Sequence, residues 1–296
     1  MLARVPLAAK PPRVELLRWR RLPLGRVLIR PRIKVTPLGS PSSLSRNSVV
    51  IGALMMREIV TRYGREGLGF LWLVAEPLLF CLFVLVMWSF IKPAYEHGIR
   101  LGAFVMTGYM SMLLIRHIMS TCLAAVQANV GLLYHRQVTI LHIYASRILL
   151  EILGTSIAFF VVYVLLFSLG QVQLPHDMLQ LIGGWTILAT QSSGLAIIIA
   201  ALAVRFDTVE RIAPLIQYGL IPVSGAFVMA AWVPQEFRNV LLAVPFPHAV
   251  ELVRSGVFGE FVPTYYDISY ALYWALGLNL FGILLLAKAK YYLEVE

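Results

Sequence analysis

Side chains that could act as nucleophiles, general bases or metal ligands are few in this sequence, and they do not form a recognisable catalytic group. The sequence contains no GxxxxGK[ST] phosphate-binding loop and no HExxH zinc motif. Asp207 and Glu210 stand three residues apart beside two arginines, which is more typical of a charged helix end than of a catalytic carboxylate pair. We therefore expect no enzyme activity from this chain, and any use of ATP requires a separate subunit.

The neighbouring ionisable residues Arg116 and His117 lie within an apolar stretch. A charge at the centre of a bilayer costs about 2.5–3.5 kcal/mol on insertion scales, so Arg116 should face a partner or a water-filled path. Two interpretations stay open: contact with an acid or a carbonyl of a neighbouring helix, and contact with an anionic substrate. Tyr109, Trp88 and Trp185 are further candidates for lining a path, although most aromatic residues in membrane spans pack or anchor.

The composition is that of a membrane protein. Of the 296 residues, 59% are hydrophobic and 14% are charged, whereas soluble domains average about 45–50% apolar and about 25% charged residues. The formal net charge is +10, but 11 of the 25 Lys and Arg residues fall within residues 1–46. A basic, proline-rich segment beside apolar spans favours contact with anionic lipid over nucleic acid. We predict that residues 1–47 form a cytoplasmic tail without stable structure.

Six segments are long and apolar enough to cross a hydrocarbon core of about 30 Å as helices. They are predicted at 71–91, 101–124, 149–169, 179–203, 213–232 and 268–287. With six spans both termini lie on one side of the membrane. That side holds 20 Lys and Arg residues against 4 on the other, so the positive-inside rule places both termini in the cytoplasm. The predicted fold class is an all-α integral membrane protein with six transmembrane helices, and residues 70–296 form this transmembrane domain.

Residues 48–69 predict an amphipathic helix that lies in the membrane interface. Its polar flank consists of Arg57, Glu58, Arg62, Arg65 and Glu66. Trp72 follows at a position where aromatic side chains anchor at the head groups. Glu76 and Pro77 suit a helix start, because proline costs little there and an acid meets the positive end of the helix dipole. We therefore expect the first crossing helix to begin near Pro77, after a break.

Three stretches together resemble the ABC-2 type permeases that export polysaccharide, and the capsule polysaccharide export permeases in particular. These stretches are REIVTRYGREGLGFLWLVAEP at 57–77, ANVGLLYHRQVTILHIYASRILLE at 128–151 and AVPFPHAVELVRSGVFG at 243–259. The third stretch departs from the family, because Val244 stands where an asparagine is common. Residues 233–267 are also too long for a simple turn and contain proline-ended apolar pieces, which favour short re-entrant helices.

The resemblance implies roles for three groups of residues. The second stretch would contain a short coupling helix seated on the ATPase, with Asn129, Gly131, Leu132, Leu133, Tyr134 and Arg136. The third would form gate helices at the periplasmic mouth, with Pro245, His248, Glu251 and Arg254. The first would border the cytoplasmic entrance, with Arg57, Arg62, Arg65, Trp72 and Glu76.

The resemblance also implies a function. The chain would be the transmembrane subunit of an ABC exporter in the bacterial inner membrane, a homodimer joined to two copies of a separate ATPase that binds MgATP. This chain itself would hold no cofactor and no metal. Its substrate would be a lipid-linked, acidic capsular polysaccharide, moved from cytoplasm to periplasm and passed to periplasmic and outer-membrane components. The alternatives are an ABC-2 permease for O-antigen, teichoic acid or a drug, and a membrane-embedded glycosyl- or acyltransferase.

Overall fold

The computed structural model describes residues 41–63, 69–91, 95–96, 98–123, 125–133, 138–259 and 262–293, and these are mainly α-helical. Most of the predicted tail, residues 1–40, lies outside the described residues. The same is true of three predicted site residues and of one predicted side chain: Arg65, Tyr134, Arg136 and the side chain of Arg62.

Five helices have the length and apolar content of membrane spans: α2 (Gly69–Ile91), α3 (Leu101–Leu123), α5 (Ile140–Ser168), α6 (Met178–Arg205) and α10 (Ile268–Leu293). Before them lies α1 (Pro41–Tyr63), which falls in the region of the predicted interface helix 48–69 and begins seven residues earlier than predicted. Two short elements occupy the α2–α3 connection, the antiparallel strands β1 (Tyr95–Glu96) and β2 (Ile99–Arg100). A 3₁₀ turn (Gln127–Asn129) and α4 (Val130–Leu133) follow α3.

The predicted first span at 71–91 agrees with α2 to within two residues, but the break expected within it and the start of the third span differ from the prediction. The expected break before Pro77 is wrong, because α2 continues through this proline. A membrane helix tolerates the single lost N–H donor, since neighbouring groups satisfy the freed carbonyl. The third span begins at Ile140 instead of residue 149. Thr139 caps it by accepting a hydrogen bond from the backbone N–H of His142 at 3.3 Å. Arg147, which precedes the predicted start of this span, therefore lies inside the helix.

The predicted fifth span at 213–232 is wrong in extent. The helix in this region is α7 (Asp207–Val223), with 17 residues, and the chain then turns at Gly225, where φ is +74°. That left-handed conformation suits glycine and stops the helix. A second 3₁₀ turn (Ala230–Trp232) follows, and then α8 (Gln235–Leu242) and α9 (Pro245–Phe258), which meet at 104°. Counting this bent pair as one span brings the total to six.

The core is centred on α3 and α6. In the most apolar stretch of each helix, 89% of α3 and 72% of α6 is buried inside the protein. The corresponding shares are 11% for α2 and 22% for α10. The exposed apolar side chains of α2 and α10 suit contact with lipid tails. Gln191 of α6 is fully buried and donates to the carbonyl of Ala271 at 3.0 Å, which fixes α6 against α10.

Candidate functional site

The described part of the predicted coupling helix falls in the short segment Gln127–Leu133, called the coupling segment below, which consists of the 3₁₀ turn and α4. Gly131 is exposed, and Leu132 and Leu133 are half-buried. Asn129 is buried, with 4% of its surface exposed. Apolar side chains at a partly open position suit the groove of a partner protein, whereas the buried asparagine ties the segment to the rest of the chain.

The amide of Asn129 is hydrogen-bonded through both of its polar atoms. Its Oδ1 accepts a hydrogen bond from Arg57 Nη1, and its Nδ2 donates to the Ala125 carbonyl at 2.9 Å and to Glu58 Oε1 at 3.3 Å. Arg57 and Glu58 both belong to α1. The predicted entrance residue Arg57 thus contacts the coupling segment, and a single side chain joins that segment to the interface helix.

Glu58 also forms a buried ion pair with Arg147 of α5. Arg147 Nε donates to Glu58 Oε1 at 2.9 Å, and Arg147 Nη1 donates to the carbonyl of Thr121 near the end of α3 at 2.8 Å. Glu58 and Arg147 are 7% and 6% exposed. We call Arg57, Glu58, Asn129 and Arg147 the polar hub. Sequence reasoning missed Arg147 and placed Glu58 on a polar flank, because no signal within α1 distinguishes a buried acid from an exposed one.

The four predicted gate residues lie along α9 with a spacing of three and are all buried. Arg254 is fully buried, and its guanidinium binds the non-helical segment after α7. Its Nη1 donates to the carbonyls of Gly225 and Val228 at 2.8 and 3.2 Å, and its Nη2 donates to that of Ala226 at 2.7 Å. We call this arrangement the arginine clamp. The guanidinium of Arg254 holds this irregular backbone against α9. Its N–H groups supply hydrogen-bond donors to carbonyls that lipid tails could not satisfy.

Glu251 and His248 extend the same network to the chain that precedes α10. Glu251 Oε1 lies 3.3 Å from Arg254 Nη1 and accepts from the Ala230 N–H at 3.2 Å. His248 Nδ1 accepts from the Asp267 N–H at 2.9 Å, and its Nε2 lies 2.8 Å from the Leu242 carbonyl. A carbonyl accepts only, so these partners assign the neutral tautomer with the proton on Nε2. Pro245 occupies the first position of α9, where proline is well tolerated.

An aromatic cluster surrounds the arginine clamp. The ring of Phe104 lies 4.8 Å from the Arg254 guanidinium and 4.8 Å from the ring of Trp232. Trp88, a predicted channel residue, joins this cluster with its ring 6.1 Å from Phe104 and 5.8 Å from Phe227. Trp88 is half-buried, so the structure places it among side chains that support the clamp.

The other predicted channel residues lie in separate environments. Tyr109 is buried in α3. The half-buried Trp185 donates its indole N–H to Ser156 Oγ at 2.8 Å, which is a packing contact between α6 and α5. Arg116 is partly exposed, and its guanidinium lies 5.6 Å from the centre of the Tyr218 ring on α7. Its neighbour His117 lies 3.7 Å from the buried Glu151 of α5.

The two remaining residues predicted at the entrance lie on α2, where Trp72 is exposed and Glu76 is half-buried. Among the residues that the structure describes, no three His, Cys, Asp or Glu side chains are grouped so that they could hold a metal ion. Within the hub and, separately, within the clamp, the polar side chains bind backbone carbonyls, backbone amides and neighbouring side chains of the same group. Their chemistry is therefore that of holding chain segments together.

Comparisons with known proteins agree on one family. The family model described as ABC-2 type transporter matches residues 49–258, a range that includes both the polar hub and the arginine clamp. The capsule polysaccharide export inner-membrane protein BexB of Haemophilus influenzae is 37% identical over 243 residues, or 82% of this chain and 92% of BexB. The capsule polysaccharide export inner-membrane protein CtrC of Neisseria meningitidis serogroup A is 37% identical over 239 residues, or 81% of this chain and 90% of CtrC. The polysialic acid transport protein KpsM of Escherichia coli is 25% identical over 244 residues, or 82% of this chain and 95% of KpsM.

Proposed function

Because the chain belongs to the ABC-2 type transporter family, we propose that it is the transmembrane subunit of an ATP-driven exporter of lipid-linked capsular polysaccharide. The observation that carries this proposal is the 37% identity to BexB over nearly the whole of that protein. The name of KpsM specifies an acidic polymer, which favours an acidic cargo. The relatives BexB and CtrC are named inner-membrane proteins, and the apolar helices α2, α3, α5, α6 and α10 suit the same location.

In this proposal, two copies of a separate ATPase bind MgATP and supply the energy for export. Two copies of this chain form the transport path through the membrane. The sequence has no phosphate-binding loop of its own. In the coupling segment, Leu132 and Leu133 are half-buried and can contact a partner protein. The buried Asn129 anchors the same segment to the rest of this chain. The polymer would then pass to periplasmic and outer-membrane components.

Deleting the gene and purifying the tagged protein in mild detergent test this function. The expected result is capsular polymer trapped inside the deletion strain, with surface polymer restored by the complete chain, and an ATPase subunit that copurifies with it. Trapped O-antigen, teichoic acid or drug in place of capsular polymer would assign the permease to another cargo. Turnover of an activated sugar or acyl donor by the purified chain alone would instead indicate a transferase.

We further propose that α7 is the fifth crossing helix, that α8 and α9 enter the membrane from the periplasmic side and return to it without crossing, and that both termini are therefore cytoplasmic. The excess of Lys and Arg on the side of the termini supports this orientation, and the 104° bend between α8 and α9 supports a re-entrant pair. Reporter fusions at the exposed residues Gln173, Thr208 and Asn239 should report outside, inside and outside in that order. The reverse order would contradict the orientation, and an inside signal at Asn239 alone would contradict the re-entrant pair.

Arg116 is the residue that we propose contacts the acidic polymer. It is partly exposed within α3 and stands over the Tyr218 ring, so it offers positively charged donors that can bind an anionic group of the polymer. Arg116→Ala should slow export of an acidic polymer about tenfold, the loss expected for one charge-assisted hydrogen bond, and should slow a neutral polymer little. Pulse-labelled export of both polymers in one host measures this ratio. Equal loss for both polymers would make Arg116 a structural residue.

A further inference from the structure

Glu58 occupies an unusual position for an acid on an amphipathic helix. A carboxylate on such a helix ordinarily faces water or head groups, whereas Glu58 is 7% exposed and lies between two other chain segments. Its Oε1 accepts from Arg147 of α5 at 2.9 Å and from Asn129 of the coupling segment at 3.3 Å. One oxygen atom therefore links α1, the coupling segment and α5.

The remaining contacts of the hub extend this link to α3. Arg147 donates to the Thr121 carbonyl at 2.8 Å, and Asn129 donates to the Ala125 carbonyl at 2.9 Å. Arg57, next to Glu58 on α1, donates to the same asparagine. The coupling segment is thus held on α1 by two adjacent side chains and on the turn that follows α3 by the side chain of Asn129.

Stability alone does not account for a buried ion pair at this position. The loss of hydration on burying two charges is comparable to their attraction, and well-packed apolar residues often replace such a pair without loss. Directional bonds instead fix the relative position of the joined segments, because each hydrogen bond of the hub has a defined geometry. A fixed position matters where one segment must move another.

We propose that Glu58 is a positioning residue that makes the coupling segment, α1 and the start of α5 move as one body when the ATPase displaces the coupling segment. The inference rests on the proposed exporter function and adds a residue that neither the motifs nor the family match assigns to coupling. Displacement of the coupling segment then tilts the interface helix and the third membrane span together. Without the hub, the ATPase moves the coupling segment while the spans stay behind, and ATP is consumed without export.

The test separates folding from coupling by removing both charges at once. In the double variant Glu58→Met with Arg147→Met, neither charge is left buried without its partner, so insertion and complex formation should stay near wild type. Its ATP consumption per polymer exported should rise about fivefold to tenfold, the range that corresponds to the loss of one or two hydrogen bonds. The single variant Glu58→Met leaves Arg147 without an acid and should also lower the amount of complex.

Asn129→Ala provides a second variant that changes no charge, and Thr61→Ala is the matched control on α1. Thr61 is exposed, and among the residues that the structure describes its hydroxyl bonds within its own helix, to the Arg57 carbonyl at 2.7 Å. Asn129→Ala should raise the ATP-to-polymer ratio about fivefold, and Thr61→Ala should leave it unchanged. The measurement is ATP hydrolysis and polymer transport by the complete complex in proteoliposomes, normalised to the amount of complex.

The outcomes distinguish this inference from the proposed function. If the wild-type complex neither transports polymer nor contains an ATPase, the proposed function fails before any variant is tested. If the wild-type complex transports polymer and both hub variants keep its ATP-to-polymer ratio, the positioning role of Glu58 is wrong while the exporter stands. Equal losses of ATP hydrolysis and transport would also contradict coupling, because a purely structural role changes both together.

Discussion

Arg254→Met is expected to abolish export and to lower the apparent melting temperature of the detergent-solubilised protein by roughly 10 °C. The guanidinium has no exposed surface, and it donates to the carbonyls of Gly225, Ala226 and Val228 within 3.2 Å. Methionine fills the space but leaves those carbonyls and the Glu251 carboxylate without this donor. Breaking a buried pair in this way costs about 3–5 kcal/mol.

Arg238→Met is the matched control for the clamp. Arg238 also donates to two backbone carbonyls, those of Ala230 at 2.7 Å and Val233 at 3.1 Å, but it is only half-buried. Water can replace its bonds, so its loss should cost about 1 kcal/mol. Adding Glu251→Leu to Arg254→Met should recover part of the lost melting temperature, because no buried acid is then left without a partner. Equal melting temperatures for the two methionine variants would contradict the clamp.

Two adjacent glycines of α6 should respond in opposite directions to the same substitution. A Cβ atom on Gly184 would lie 2.7 Å from the Val253 nitrogen and 3.0 Å from the Ala249 carbonyl oxygen, both in α9. A Cβ atom on Gly183 would meet nothing within 4 Å. Gly184→Ala must therefore push α9 away from α6, whereas Gly183→Ala only gains the helix preference of alanine.

The two substitutions should change the free energy of unfolding in opposite directions. Overpacking at Gly184 costs about 1–3 kcal/mol, and alanine at Gly183 contributes about 0.8–1 kcal/mol of stability. Thermal unfolding in one detergent, with both variants measured side by side, reads out the difference, and export should fall for Gly184→Ala alone. The close packing of α6 on α9 would be contradicted if both alanine variants melted at the same temperature.

Hydropathy was sufficient for the second and fourth spans. The second and fourth spans agree with α3 and α6 to within two residues, because runs of apolar residues there end at turns or charges. The third span was placed too late because Arg147 counts against burial when its partner is unknown. The fifth was extended too far, since the apolar residues 224–232 carry no charge that marks the end of α7, and the turn at Gly225 is a matter of backbone conformation.

The residues of the gate motif could be predicted, but their partners could not. The spacing of His248, Glu251 and Arg254 places them on one side of a helix. Arg254 then binds backbone carbonyls 26 to 29 residues away in the chain. Every residue carries such a carbonyl, so residue types do not indicate which ones Arg254 will bind. The hub was missed for a related reason. Glu58 and Arg147 are 89 positions apart, and either residue alone resembles an ordinary charge at the membrane surface.

The occupied carbonyls of Gly225, Ala226 and Val228 also bear on how the bilayer keeps its electrical insulation. Free backbone carbonyls within a membrane can take the place of water around a cation, which is how ion channels conduct. Here the guanidinium of Arg254 already donates hydrogen bonds to all three carbonyls. These three carbonyls are therefore already bonded, and the unwound stretch offers a small cation no free backbone oxygens at Gly225, Ala226 and Val228 in place of its water.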